Sequence, residues 1–88
     1  MSKKDIKAWF VYMVLCNDGT LYTGVTTDIS RRVEEHNTGK GAKYTRSRRP
    51  VRLQDAWSFP NKSSALREEH RIKKMSRKEK EQLLITLV

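Results

Sequence analysis

The sequence predicts a small α+β domain, a short three-stranded and mainly antiparallel sheet flanked by helices in the order ββαβαα. Three observations carry this expectation. Two runs rich in aromatic and β-branched residues, residues 9–16 and 20–26, flank the turn-forming "NDG". A third such run, "VRLQDAWSF", covers residues 51–59. The segments between and after them carry helix caps in place of strand alternation.

The first two runs pair as a hairpin, and the loop length decides which side chains share a face. A two-residue "DG" turn would oppose Asn17 to Thr20 and send Tyr12 and Tyr22 to opposite faces. A three-residue "NDG" loop with Gly19 left-handed opposes Cys16 to Thr20, Tyr12 to Gly24 and Tyr22 to Val14. This register gathers Val11, Met13, Leu15, Leu21 and Val25 on one apolar face and both tyrosines with Gly24 on the other, so it is the expected one. Gly24, lying opposite Tyr12, is expected to leave open space beside the ring.

"TTDISRRVEEHNTG" is a good helix, with Asp28 as N-cap and Gly39 just past its end. Successive helical residues rotate by about 100°. Relative to Ile29, Val33 then lies at about +40°, His36 at about −20°, Arg32 at about −60° and Arg31 at about −160°. His36 and Arg32 therefore share the inward half of the helix, and Arg31 points away. Arg32 also reads as a snorkelling side chain with its stem on the core. His36 also reads as a satisfied histidine at the negative end of a helix. Residues 40–50, "KGAKYTRSRRP", form a Gly-containing loop with basic Lys40, Lys43, Arg46, Arg48 and Arg49. Its Tyr44 would stack on a base or close the loop over the sheet.

Beyond the third strand, Pro60 and Asn61 break the pattern, and Ser63 or Ser64 begins a second helix running to about residue 75. On its wheel, Ile72 lies at about −20° from Ala65 and Glu69 at about +40°. Glu69 therefore sits within the apolar stripe, where a carboxylate is costly unless paired or metal-bound. A pair with Lys73, one turn on, is the simpler account; His70 reads as surface. Ser76 and Glu79 form a capping box for a last helix, whose apolar mass comes from Leu83, Leu84, Ile85, Leu87 and Val88.

Composition narrows the function classes. The 88 residues make one expected domain, and 19 Lys+Arg against 10 Asp+Glu leave a net charge of +9. Such an excess favours a polyanionic partner, because phosphate neutralisation releases condensed counterions. The single cysteine, Cys16, excludes an intramolecular disulfide and a cysteine-cluster zinc site, and reads as a small buried hydrophobe. No apolar run reaches membrane-spanning length, and "MSKKDIK" is not followed by a signal-peptide apolar region. A cytoplasmic protein without a membrane partner is expected, with residues 1–7 as a loose polar start.

With these residues in hand, the chain resembles the GIY-YIG nuclease domain, specifically its small stand-alone bacterial-type members. Phe10-Val11-Tyr12 stands at the first half-motif and Tyr22-Thr23-Gly24 at the second. Arg32 and His36 match a helical Arg-x-x-x-His, Glu69 matches the later helical acid, and "GKGAKYTRSRRPV" is similar to the hallmark loop of the stand-alone branch. The likeness covers about residues 8–80 within a single domain spanning residues 1–88. It implies a three-stranded antiparallel sheet flanked by helices and metal-dependent hydrolysis of DNA phosphodiesters. By position, Glu69 would bind one Mg²⁺ or Mn²⁺ ion, and Arg32 would hold the scissile phosphate. Tyr12 would activate or orient the attacking water with His36 helping to accept its proton, and Tyr22 would position phosphate or water. No small-molecule cofactor is implied. The chain departs from relatives in carrying Val25 where a lysine follows the second half-motif, and in having no asparagine after Glu69.

Two function classes follow. One is a structure-selective or weakly sequence-selective DNA endonuclease acting in repair or recombination. The other is a nucleic-acid-binding module of the same fold, on DNA or structured RNA, in which Tyr12, Arg32 and Glu69 form a structural polar network and residues 40–49 do the binding. A protein-interaction role, with the charge serving solubility, is a weaker third.

Overall fold

A computed structural model of the chain describes residues 8–85. Two hairpin strands, β1 (Trp9–Leu15) and β2 (Leu21–Thr26), lead into helix α1 (Ile29–Asn37) and a short helix α2 (Lys43–Arg46). Strand β3 (Arg52–Phe59), helix α3 (Lys62–Lys73) and helix α4 (Arg77–Ile85) complete the order ββααβαα. All pairings are antiparallel and the sheet order is β2-β1-β3, so β1 is central. The expected α+β fold with a three-stranded antiparallel sheet stands. The expected polar start at 1–7 and the apolar Leu87 and Val88 lie outside the described residues.

The hairpin takes the three-residue loop. Cys16 N–H donates to the Thr20 carbonyl at 2.8 Å, Gly19 has φ +87°, and Tyr12 opposes Gly24 while Val14 opposes Tyr22. Side chains on β1 therefore divide cleanly. Val11 and Met13 are fully buried with Ala65 and Ile72 of α3, and Leu21, Val25, Trp57, Leu83 and Leu84 pack around them. Tyr12, Val14 and Cys16 fill the opposite face with Val51, Tyr22 and Val33. α3 and α4 thus close the first face, and α1 closes the second.

Caps fix the helices that carry the polar residues. The Asp28 carboxylate accepts from Arg31 N–H at 3.0 Å, as expected of an N-cap. Past the other end, Gly39 has φ +85° and its N–H donates to the His36 carbonyl at 3.2 Å. Ser76 and Glu79 form the reciprocal capping box of α4, with bonds of 2.8 Å and 3.2 Å. α3 differs from expectation: Asn61, still extended in backbone, is its N-cap, accepting from Ser64 N–H at 2.9 Å, so the helix starts at Lys62 and the asparagine initiates it. The loop at 40–50 also differs, because residues 43–46 wind into α2.

A tyrosine–histidine centre on one face of the sheet

His36 is the buried residue of α1, and its position follows from the cap and the wheel. Starting the helix at Ile29 turns residue 36 onto the sheet, where the imidazole is fully enclosed. Its Nε2 lies 2.7 Å from the Tyr12 hydroxyl, and its Nδ1 lies 2.8 Å from the Thr45 hydroxyl. Thr45, also fully buried, is the residue of α2 turned inward. Gly41 makes room for this contact, since a Cβ there would stand 2.8 Å from the His36 Cα. Asn37, one residue on, ties the end of α1 to the start of β3: its amide nitrogen donates to the Val51 carbonyl at 3.0 Å, and Val51 N–H donates back at 2.6 Å.

Rings complete the face. Tyr22 meets the His36 ring edge-on at 5.4 Å and sits 6.4 Å from the Tyr12 ring. Tyr44 stacks on Tyr22 at 5.7 Å, and the Arg48 guanidinium covers the Tyr44 ring at 3.9 Å from its centre. Tyr44 thus has a ring and a guanidinium against it and still remains 39% exposed. These contacts close the loop over the sheet, one of the two roles expected of Tyr44. The expected open space at Gly24 is filled: a Cβ there would lie 2.5 Å from the Tyr12 hydroxyl and 2.7 Å from its Cζ. Gly24 shapes the site by letting the Tyr12 ring lie flat across β2 toward His36, which any side chain would prevent.

The charged residues ring this cluster. Arg32 is half-buried and pairs with Glu35 at 2.9 Å. Beside it opens a depression of about 220 Å³ lined by Val25, Thr26, Arg31, Arg32 and Glu35. Glu69 pairs with Lys73 at 3.1 Å, the simpler account of its place in the stripe, and its side chain is only 17% exposed. Lys73 Nζ lies 5.7 Å from the centre of the Tyr22 ring, so this edge of α3 comes round edge strand β2 to the tyrosine face. Electrostatics agree with that placement. Burial pushes the Tyr12 phenol up to about 12; Arg32 pulls it back, and Tyr22 and Glu69 add to the rise. Burial, then the Arg32 charge, holds His36 below the ordinary histidine value, against the opposing pull of Glu35. His36 is thus neutral at pH 7.

Sequence-expected residues divide into two sets. Tyr12, Tyr22, Arg32, His36 and Gly24 converge on one face, with Glu69 at its edge on α3 beside Lys73. In the basic segment, Arg48 donates to Asp18 at 2.9 Å and to the Tyr44 carbonyl at 2.7 Å, and Arg49 donates to the Arg46 carbonyl at 3.0 Å. Lys40, Lys43 and Arg46 are exposed and form no ion pair among the described residues. Thr45, Gly41 and Asn37 were not singled out by sequence reasoning; the two glycines flanking Lys40 were the available signal for a tight backbone approach.

Among the described residues no group of three or more histidine, cysteine or acidic side chains would hold a metal. A zinc site does not fit such a donor set. A hard cation does: Mg²⁺ and its like keep several waters and use one or two carboxylates plus substrate phosphate oxygens, and Glu69 supplies one carboxylate at the rim of the cluster. No helix among the described residues is long and apolar enough to cross a membrane.

Comparison with known proteins places these features in a family. The family model for the GIY-YIG catalytic domain matches residues 8–82. A UPF0213 protein of Halobacterium salinarum is 60% identical over 73 residues, 83% of this chain and 95% of that protein. A UPF0213 protein of Halalkalibacterium halodurans is 53% identical over 75 residues, 85% and 80% of the two chains. Two solution structures share the fold. The UPF0213 protein of Bacillus halodurans is 52% identical with a TM-score of 0.57, covering 88% of this chain and 82% of that one. A protein from E. faecalis is 47% identical with a TM-score of 0.64, covering 92% and 86%.

Proposed function

The chain belongs to the GIY-YIG catalytic-domain family, and from that premise we propose that it is a divalent-metal-dependent endonuclease hydrolysing DNA phosphodiester bonds. The observation that carries the reading is the 2.7 Å bond between the Tyr12 hydroxyl and His36 Nε2. A phenol with a pKa near 12 does not give up its proton to water at neutral pH; beside a neutral imidazole and a guanidinium it has both a proton acceptor and a cation to stabilise phenolate. Tyr12 orients and activates the attacking water, and His36 takes the proton. Arg32 exchanges Glu35 for the scissile phosphate, whose planar oxygens suit its fork. Tyr22 walls the site and positions phosphate or water. Glu69 would hold one Mg²⁺ or Mn²⁺ ion, which when bound neutralises charge on the scissile phosphate. Cleavage then follows DNA structure more than sequence, as in repair or recombination.

The test is cleavage of single-stranded, duplex and branched DNA, and of structured RNA, with and without Mn²⁺, alongside Glu69→Ala. Metal-dependent cleavage that Glu69→Ala abolishes while DNA binding persists is the expected result; cleavage surviving the substitution overturns the site. A second reading, a binding module with little catalysis, is favoured by one observation: Arg32 and Glu69 each already have an intramolecular partner. It predicts binding to DNA or RNA with no turnover under any metal.

A further inference from the structure

The hydrogen bonds on the His36 ring extend one residue beyond the proposed catalytic set. The Thr45 hydroxyl donates to the Ala42 carbonyl at 2.9 Å, and that carbonyl has no proton to give back. A hydroxyl has one proton. With it committed to Ala42, the Thr45 oxygen receives the His36 Nδ1 contact at 2.8 Å as an acceptor. Nδ1 then carries the single proton of the neutral ring, and Nε2 is left with a lone pair facing the Tyr12 hydroxyl. Ala42 N–H also donates toward Nδ1, the contact on which the opposite tautomer would rest, but at 3.4 Å it is the longer of the two on that nitrogen, against 2.8 Å to the Thr45 hydroxyl.

We propose that Thr45 is a positioning residue: its hydroxyl, anchored on the Ala42 carbonyl, fixes His36 in the Nδ1-protonated tautomer so that Nε2 accepts the proton of Tyr12. The proposal uses the nuclease reading for its effect on cleavage, but the tautomer is a property of the folded chain alone. When Tyr12 acts, its O–H bond breaks and an Nε2–H bond forms; the resulting imidazolium keeps its Nδ1–H on Thr45. Thr45 is fully buried, and its role is exerted through His36. The titratable and charged groups around the ring are Tyr12 and Tyr22 from the sheet and Arg32 and Glu35 from its own helix. On α2, Lys43, Tyr44 and Arg46 are exposed.

The chain has two histidines, and His70 is exposed, so long-range proton–nitrogen correlation spectra of the full protein near pH 7.5 resolve the His36 ring once His70→Gln assigns the other. The expected spectrum has a pyrrole-type Nδ1 and a pyridine-type Nε2. Thr45→Val, which keeps the shape and removes the hydroxyl, should mix the tautomers, and Thr45→Ser should restore the wild-type pattern. In cleavage, Thr45→Val should lower kcat roughly 10²-fold with KM little changed, move the acidic limb of the pH profile, and be rescued by serine. A protonated Nε2 in the wild type overturns the proposal, and that measurement decides even where Thr45→Val fails to fold. A tautomer indifferent to Thr45→Val overturns it too. The expected tautomer behaviour without cleavage in any metal supports the Thr45 assignment and sinks the nuclease reading.

Discussion

Strand β1 sends Val11 and Met13 to one side of the sheet and Tyr12 to the other, and the two sides are closed in different ways. On the first side, Ala65 and Ile72 complete an apolar cluster in which contact area and volume are what count. On the second, an equally buried set, Tyr12, His36 and Thr45, is joined by bonds of 2.7 Å and 2.8 Å. Area alone would not enclose these groups, because a buried polar atom without its partner costs about 1–3 kcal/mol. One side thus stores stability without direction, whereas the other stores an orientation of protons. Substitutions on the two sides should therefore differ in their effects on stability and on chemistry.

The largest expected effect is on the polar side. Tyr12→Phe should reduce cleavage by about 10²–10⁴-fold. It should lower stability by about 1–3 kcal/mol, because His36 Nε2 is left buried without its partner. Single-turnover cleavage and urea unfolding measure the two together. Next is the apolar side, where Ile72→Ala should cost about 2–5 kcal/mol of stability and leave cleavage per folded molecule unchanged. A Tyr12→Phe protein that cleaves normally, or an Ile72→Ala protein that is stable but inactive, would erase the distinction.

A pH series sharpens it further. His36 has a lowered pKa when folded, so its contribution to stability is present above the ordinary histidine value of 6.5 and is lost as pH falls below it. Tyr12 has a raised pKa, so its contribution is present below 10 and is lost as pH climbs from there toward about 12. Urea midpoints across pH should therefore fall at both ends, and Tyr12→Phe should flatten the alkaline fall while keeping the acidic one. Ile72→Ala should lower the whole curve without changing its shape.

What the sequence revealed follows the same division. Period-two alternation and a three-residue loop were enough to put Tyr12, Tyr22 and Gly24 on one face, and the helix wheel with the Asp28 cap turned His36 inward. Those are local regularities with few alternatives. α2 was not legible, because its four residues have neither a side-chain cap nor a helical period; Thr45 on His36 and Tyr44 on Tyr22 hold it, and both contacts are tertiary. Gly24 shows a second limit: sequence reports a missing Cβ but not that the Tyr12 ring takes its place.

The smallest expected effects lie in the basic segment, where a like pair of residues repeats the contrast in miniature. The Arg48 guanidinium, 33% exposed, is held by Asp18, by the Tyr44 carbonyl and by the Tyr44 ring. Its stacking is worth about 0.5–1 kcal/mol at such a site, and the exposed ion pair to Asp18 adds little. Arg46, two residues earlier, is exposed and makes no side-chain ion pair among the described residues. Arg48→Ala should therefore shift the urea midpoint slightly downward, bare the outer face of Tyr44 and scarcely change the salt dependence of nucleic-acid binding. Arg46→Ala should do the reverse, leaving stability within about 0.5 kcal/mol and flattening the salt slope by roughly one unit as one phosphate contact is lost. Equal effects of the two substitutions on binding would show that nucleic acid draws Arg48 away from Asp18 and Tyr44, and that Tyr44 is then free to stack on a base.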